Sequence, residues 1–110
     1  MNGGMKTNME DKCNMKALYI IVNMGFANDV VEIARTAGLK GATIIHARGA
    51  GAPHGTILGI TVDPQKQMII AIVDEATAEK AMAVVKEKAG ISTPARGVCF
   101  TVPVDKTGGI

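Results

Sequence analysis

Apolar positions along this chain follow two patterns. ALYIIV at 17–22 and MIIAIV at 68–73 are continuous runs, rich in β-branched residues and of strand length. Elsewhere apolar residues recur at helical spacing. Phe26, Val30, Ile33, Ala34 and Ala37 form one stripe, which predicts a helix over 26–37 that Gly38 ends by taking the left-handed conformation. Ala78, Met82, Val85 and Ala89 form a second, which predicts a helix over 76–89 ended by Gly90. Glu79, Lys80, Lys86, Glu87 and Lys88 read as the solvated face of that helix, and Asp74 stands where a carboxylate serves its N-terminus. Further extended segments are predicted at 43–47, 56–62 and 98–104, so that two or three strand pieces lie between the helices. Asp63-Pro64-Gln65-Lys66 has turn chemistry. Pro103 puts the last strand at a sheet edge, or marks its end.

The resulting order, β-α-β-β-α-β, predicts an α+β fold of the ferredoxin-like sandwich type: an antiparallel sheet with two helices on one face. A sheet covered on one side should alternate apolar and polar residues, and ALYIIV and MIIAIV do not. The face away from the helices therefore needs a cover, and other copies of the chain are the simplest source. A closed homo-oligomer packed through sheet faces is the expectation. Residues 1–15 are polar and aperiodic and read as a mobile tail. The folded domain is expected over 16–106, with a loose C-terminus at 107–110.

Composition narrows the function more than the fold. The chain has 110 residues, enough for one ordinary core. Its net charge of +2 does not argue for nucleic acid or an acidic membrane surface. With no Trp, one Tyr and two Phe it lacks the aromatics of a base-stacking platform. Cys13 and Cys99 are too far apart in sequence to read as a disulfide framework or a metal-ligand pair, and Cys99 reads as a small core residue. No apolar run approaches the ~20 residues of a membrane span, and no secretory signal is visible, so a cytoplasmic protein is expected. No Walker loop, HExxH, nucleophile–base pair or paired carboxylate stands out, so no catalytic residue is assigned and the chain does not read as an enzyme.

The candidate chemistry lies in Arg48-Gly49-Ala50-Gly51-Ala52-Pro53-His54-Gly55. Its glycines allow backbone N–H groups to converge on an anion, although the spacing is not a dinucleotide fingerprint. The alternative is a hairpin connection that uses glycine for positive φ. His54 reads as a solvated loop residue or a contact to a ligand or partner. His46, inside a strand, reads as a packed or interface residue. The two histidines have no companions at ligand spacing, so no metal site is assigned.

Two stretches carry a family resemblance. VEIARTAGLKGATIIHARGAG and GVCFTVPVDK, in this order on this topology, resemble the helix–turn–strand–glycine-loop and last-strand motifs of the PII signalling proteins, also called nitrogen regulatory protein P-II. The resemblance covers about 15–106. It implies a homotrimer with sheets facing inward and clefts between subunits that bind adenine nucleotides. ATP, ADP or AMP would then be a regulatory ligand rather than a resident cofactor. It also implies a loop after the second strand that docks on a partner protein, a transporter or a nitrogen-metabolism enzyme. Carried over by position, Thr43 would approach the adenine, Gly49, Gly51 and Gly97 the phosphates, and Lys66 and Ile72 the cleft wall. The family's last-strand lysine is Val98 here, and its arginine pair after that strand has no counterpart. Arg48 and Arg96 flank the two glycine-containing loops and could supply the missing charge; the alternative is two exposed arginines. The docking loop is expected to be short, spanning 49–56, with no Tyr or Ser for modification. Two other readings stand beside this one: a metal-responsive trimer like the copper-tolerance proteins, using His46, His54 and Cys99, and a structural adaptor without a small ligand.

Overall fold

The computed structural model describes residues 14–50, 55–57, 60–62 and 64–110. The tail at 1–13, with Cys13, lies outside the described residues, as do Gly51, His54 and Asp63. Strands β1 (Met15–Asn23), β2 (Thr43–Arg48), β5 (Gln65–Asp74) and β6 (Val98–Pro103) form a four-stranded sheet in the order β2-β5-β1-β6. Every pairing is antiparallel. Helices α1 (Ala27–Arg35) and α2 (Glu75–Ala89) lie side by side and pack on one face. This is the ferredoxin-like arrangement.

Register explains why the apolar runs need not alternate. Ile20 sits opposite Ile69 and Cys99, while its neighbour Tyr19 sits opposite Ile70 and Phe100. The first set turns toward the helices: Leu18, Ile20, Val22, Ile69, Ala71 and Val73 join Val30, Ala34, Ala78, Ala81 and Val85 in one core. The second set faces away, and there Tyr19 and Phe100 stack with centroids 4.9 Å apart. An apolar run on a central strand thus supplies a core and an open apolar face in alternate positions.

The helix ends are closed by different means. Gly38, at φ 110°, lets α1 finish in a Schellman turn. The Leu39 N–H reaches the Ala34 carbonyl at 3.3 Å and the Gly38 N–H the Arg35 carbonyl at 3.0 Å, with Leu39 buried behind them. Asp74 caps α2, its carboxylate accepting the Thr77 N–H at 2.7 Å, which holds its pKa below the ordinary carboxylate value. At α1 the residue before the helix is Phe26, which has no capping side chain. The cap comes from the sheet instead: Gln67 Oε1 accepts the N–H groups of Gly25 at 2.9 Å and Ala27 at 3.2 Å.

Two expectations are corrected. The segment read as extended at 56–62 does form strand pieces, but outside the main sheet. It divides into β3 (Gly55–Ile57) and β4 (Ile60–Val62), which pair with each other as a separate two-stranded ribbon. The connection after β2 therefore runs over residues 49–64 rather than 49–56, because the sheet resumes only at Gln65. Gln65 and Lys66, read as part of a turn, already belong to β5, where they pair with Arg48 and Ala47. Gly90 ends α2 as expected, at φ −74°. Glycine is required there because a Cβ would collide with the Lys86 carbonyl. Pro103 stands at the end of β6, an edge strand, where its missing N–H disrupts no ladder.

Candidate functional site

The expected site residues fall at two ends of one sheet. The first end gathers the base of the 49–64 excursion and the loop between α2 and β6. The Gly49 N–H donates to the Pro64 carbonyl at 2.6 Å and closes the excursion's stem. Lys66 crosses over this point: a Cβ on Gly49 would come within 3.2 Å of Lys66 Cε, so glycine makes room for the lysine. Lys66 Nζ donates to Asn23 Oδ1 at 2.6 Å. Asn23, 8% exposed, donates in turn from Nδ2 to the Pro94 carbonyl at 2.9 Å.

The loop at 90–97 is wound tightly. Both the N–H and the hydroxyl of Thr93 donate to the Gly90 carbonyl, at 2.9 and 2.7 Å. Arg96 sits at φ 50°, an uncommon conformation for a side-chain-bearing residue. Its guanidinium donates back to the Ile91 carbonyl at 3.1 Å. The Gly97 N–H donates to the Ala89 carbonyl at 2.7 Å, and a Cβ on Gly97 would collide with that same oxygen. Gly97 is thus needed for a close backbone approach. Arg48, exposed at the end of β2 opposite Gln65, completes this end with a third cation after Lys66 and Arg96. Val98 follows, half exposed on the open face beside Ile21.

The second end holds Thr43, exposed and paired with Ile70, and Ile72, 41% exposed. Beside Ile72 opens a cavity of ≈ 240 Å³, whose walls include Lys40, Gly41, Asp74 and Thr77. Thr43 and Ile72 are therefore well separated from Gly49, Lys66, Arg96 and Gly97 within one chain. Gly51 and His54 lie outside the described residues. His46 is exposed on the edge strand β2 rather than packed within the chain.

Cys99 is half-buried against the core, and burial pushes its thiol pKa up, which disfavours the reactive thiolate. Among the described residues no three His, Cys, Asp or Glu side chains cluster as a metal group. Among them, too, no helix is long and apolar enough to cross a membrane.

Asn23 and Gln67 were not anticipated. No local spacing marks them, since their partners lie 40 to 71 residues away in sequence. The one available signal was polarity: Asn23 ends an apolar run, and Gln67 directly precedes one.

Comparison with known proteins agrees with this architecture. A PII-like signalling protein from Thermus thermophilus superposes with a TM-score of 0.63 at 22% identity, over 82% of this chain and 86% of that one. A nitrogen regulatory PII-like protein from Thiomonas intermedia, solved bound to ADP, AMP and bicarbonate, gives 0.63 at 23% identity over 87% and 96%. GlnK of B. subtilis, solved as its ATP complex, gives 0.63 at 14% identity over 83% and 82%. At these identities the structural likeness speaks for the fold. No curated protein matches the sequence significantly. The sequence pattern described as nitrogen regulatory protein P-II matches residues 15–110. With nearly the whole chain matched, and a sheet, two helices and connecting loops in the corresponding order, this chain belongs to the nitrogen regulatory protein P-II family.

Proposed function

We propose that the chain is a regulator that binds an adenine nucleotide between copies of itself and signals through the 49–64 excursion to a partner protein. The observation that carries this reading is the division of the site residues between two ends of the sheet. Five residue steps carry β2 from Thr43 to Arg48, the residue before Gly49, roughly 17 Å at ~3.3 Å per residue. A small ligand that meets both groups meets them on different copies. The open apolar face, with Ile45, Ile72, Phe100 and Val102 each more than 40% exposed, favours such copies. A homotrimer is the closed arrangement that the family resemblance implies.

In this assembly Thr43 and Ile72 of one copy would hold the base. Gly49 and Gly97 of another would admit the phosphates, with Lys66, Arg48 and Arg96 as charge partners in place of the lysine that is Val98 here. His54 and Gly51 would belong to the excursion that touches ligand or partner. The ADP, AMP and ATP held by the Thiomonas and Bacillus relatives support this ligand class. A ligand contacting the stem of the excursion favours one of its conformations, and a partner that distinguishes the conformations reads the ligand. The partner class is a transporter or a nitrogen-metabolism enzyme, reached from the cytoplasm. The site's groups bind and orient, so the chain acts as a regulator rather than an enzyme.

Calorimetry against ATP, ADP and AMP tests the ligand. Binding is expected, and Arg96→Ala should weaken it by roughly 10- to 100-fold, the worth of one charge-assisted hydrogen bond. Absence of heat and of any thermal shift with all three nucleotides defeats the ligand assignment. Light scattering that gives a single-chain mass at micromolar concentration defeats its placement between copies.

A further inference from the structure

Asn23 is the buried polar residue at the heart of the first end, and both ends of its side-chain amide are engaged. Oδ1 accepts from Lys66 Nζ at 2.6 Å, and Nδ2 donates to the Pro94 carbonyl at 2.9 Å. Its main-chain N–H donates to the Ala95 carbonyl at 2.9 Å. Lys66 belongs to the stem of the 49–64 excursion, through its cross-strand partner Ala47 and its contact with Gly49. Pro94 and Ala95 belong to the 90–97 loop. One side chain therefore spans the two loops.

The chemistry of the amide makes this span directional. A primary amide has an acceptor on one side and a donor on the other. Turned over, it would present N–H to the Lys66 ammonium and oxygen to the Pro94 carbonyl, and both contacts would be repulsive. Lys66 thereby fixes the orientation in which Asn23 holds Pro94. The lysine itself meets a neutral oxygen here, a weaker partner than an anion. An anion at this end competes with Asn23 for the ammonium. When the anion wins, a buried acceptor loses its donor and the amide is no longer held in place.

We infer that Asn23 is a positioning residue that couples the two loops, so that engagement of Lys66 by an anion at the stem of the 49–64 excursion loosens the 90–97 loop. The coupling is reciprocal: a rearranged 90–97 loop changes the affinity of the stem for the anion. The ligand half of this inference rests on the function proposed above. The Lys66–Asn23–Pro94 linkage itself does not, and the experiment separates the two.

Amide hydrogen exchange on the full chain is the readout. Without ligand, Lys66→Met should raise exchange at the Asn23 and Arg96 amides by about tenfold, and Lys66→Arg should restore much of the protection. In an Asn23→Ala background the same lysine substitution should add nothing. If Asn23→Ala does not fold, Asn23→Leu takes its place: of similar volume, it offers Pro94 no donor and Lys66 no acceptor, so the loop is already loose. Exchange within about two-fold of the native protein in Lys66→Met, or an equal increase in both backgrounds, overturns the coupling. With ATP as probe, exchange at the Asn23 amide, which the ligand does not touch, should rise in the native chain, and the residue 23 amide in Asn23→Leu should show no such rise. Binding of ATP without any change in exchange overturns the ligand half. Failure of ATP to bind overturns the proposed function, and the ligand-free comparison still decides the coupling.

Discussion

Leu18, Ile20, Val22, Ile69 and Val73 face the helices and are at most 9% exposed, whereas Ile45, Ile72, Val98, Phe100 and Val102 on the other face are 41–49% exposed. The two faces draw on similar residues and often on the same strands. Ile69 and Ile72 stand three positions apart on β5. What separates the faces is the register, which sends neighbouring residues to opposite sides, and the helices, which cover one side only. Apolar side chains that have found no cover in their own chain still favour leaving water. The first face stabilises the fold of one chain, and the second is suited to joining chains.

The largest expected effect tests the covered face. Ile69→Ala should destabilise the fold by about 2–5 kcal/mol in urea unfolding, because it removes fully buried carbons and leaves a cavity. Ile72→Ala should cost much less in chains dilute enough to be monomeric, and its effect should grow with protein concentration. Equal costs at all concentrations would mean that the two faces do not differ in role. A second test charges the open face. Phe100→Asp should reduce the mass seen by light scattering while leaving the helical circular dichroism in place, since a carboxylate is tolerated in water but not between copies. Unfolding instead would show that this face supports the chain's own fold.

The smallest effect lies at the seam, where β5 passes into α2. Asp74 has its pKa lowered by its hydrogen bonds with Thr77, so the stabilisation it contributes is present above the ordinary value of 3.8 and is lost as pH falls through the lower folded value. Asp74→Ala should therefore be less stable than the native chain near neutral pH, and the gap should close in acid. A gap that persists at the acid end would place the role of Asp74 in packing rather than in its charge.

Much of this was legible along the chain. The strand runs, the two stripes, Gly38 as terminator and Asp74 as cap all depend on neighbours within a few residues, where spacing and local geometry decide the outcome. The open apolar face was also legible, because the runs at 17–22 and 68–73 carry more apolar residues than one face can use. The ribbon of β3 and β4 was harder to read. Extended backbone at 56–62 suits the main sheet or a local hairpin equally well, and only partner choice separates them.

The candidate site divides in the same way. Gly49, Lys66 and Gly97 were singled out as candidates through the family resemblance, but their contacts appear only in three dimensions. Gly49 lies beneath Lys66, and Gly97 lies against the Ala89 carbonyl. Asn23 and Gln67 needed the fold itself to show what they do. By itself, the sequence determined the elements, their order and the surplus of apolar surface, because these follow from periodicity and short-range backbone preference. The tertiary structure alone decided which distant polar groups meet: Gln67 with the start of α1, and Asn23 between Lys66 and Pro94. Hydrogen bonds of that kind depend on register between segments far apart in the chain, which no local pattern encodes.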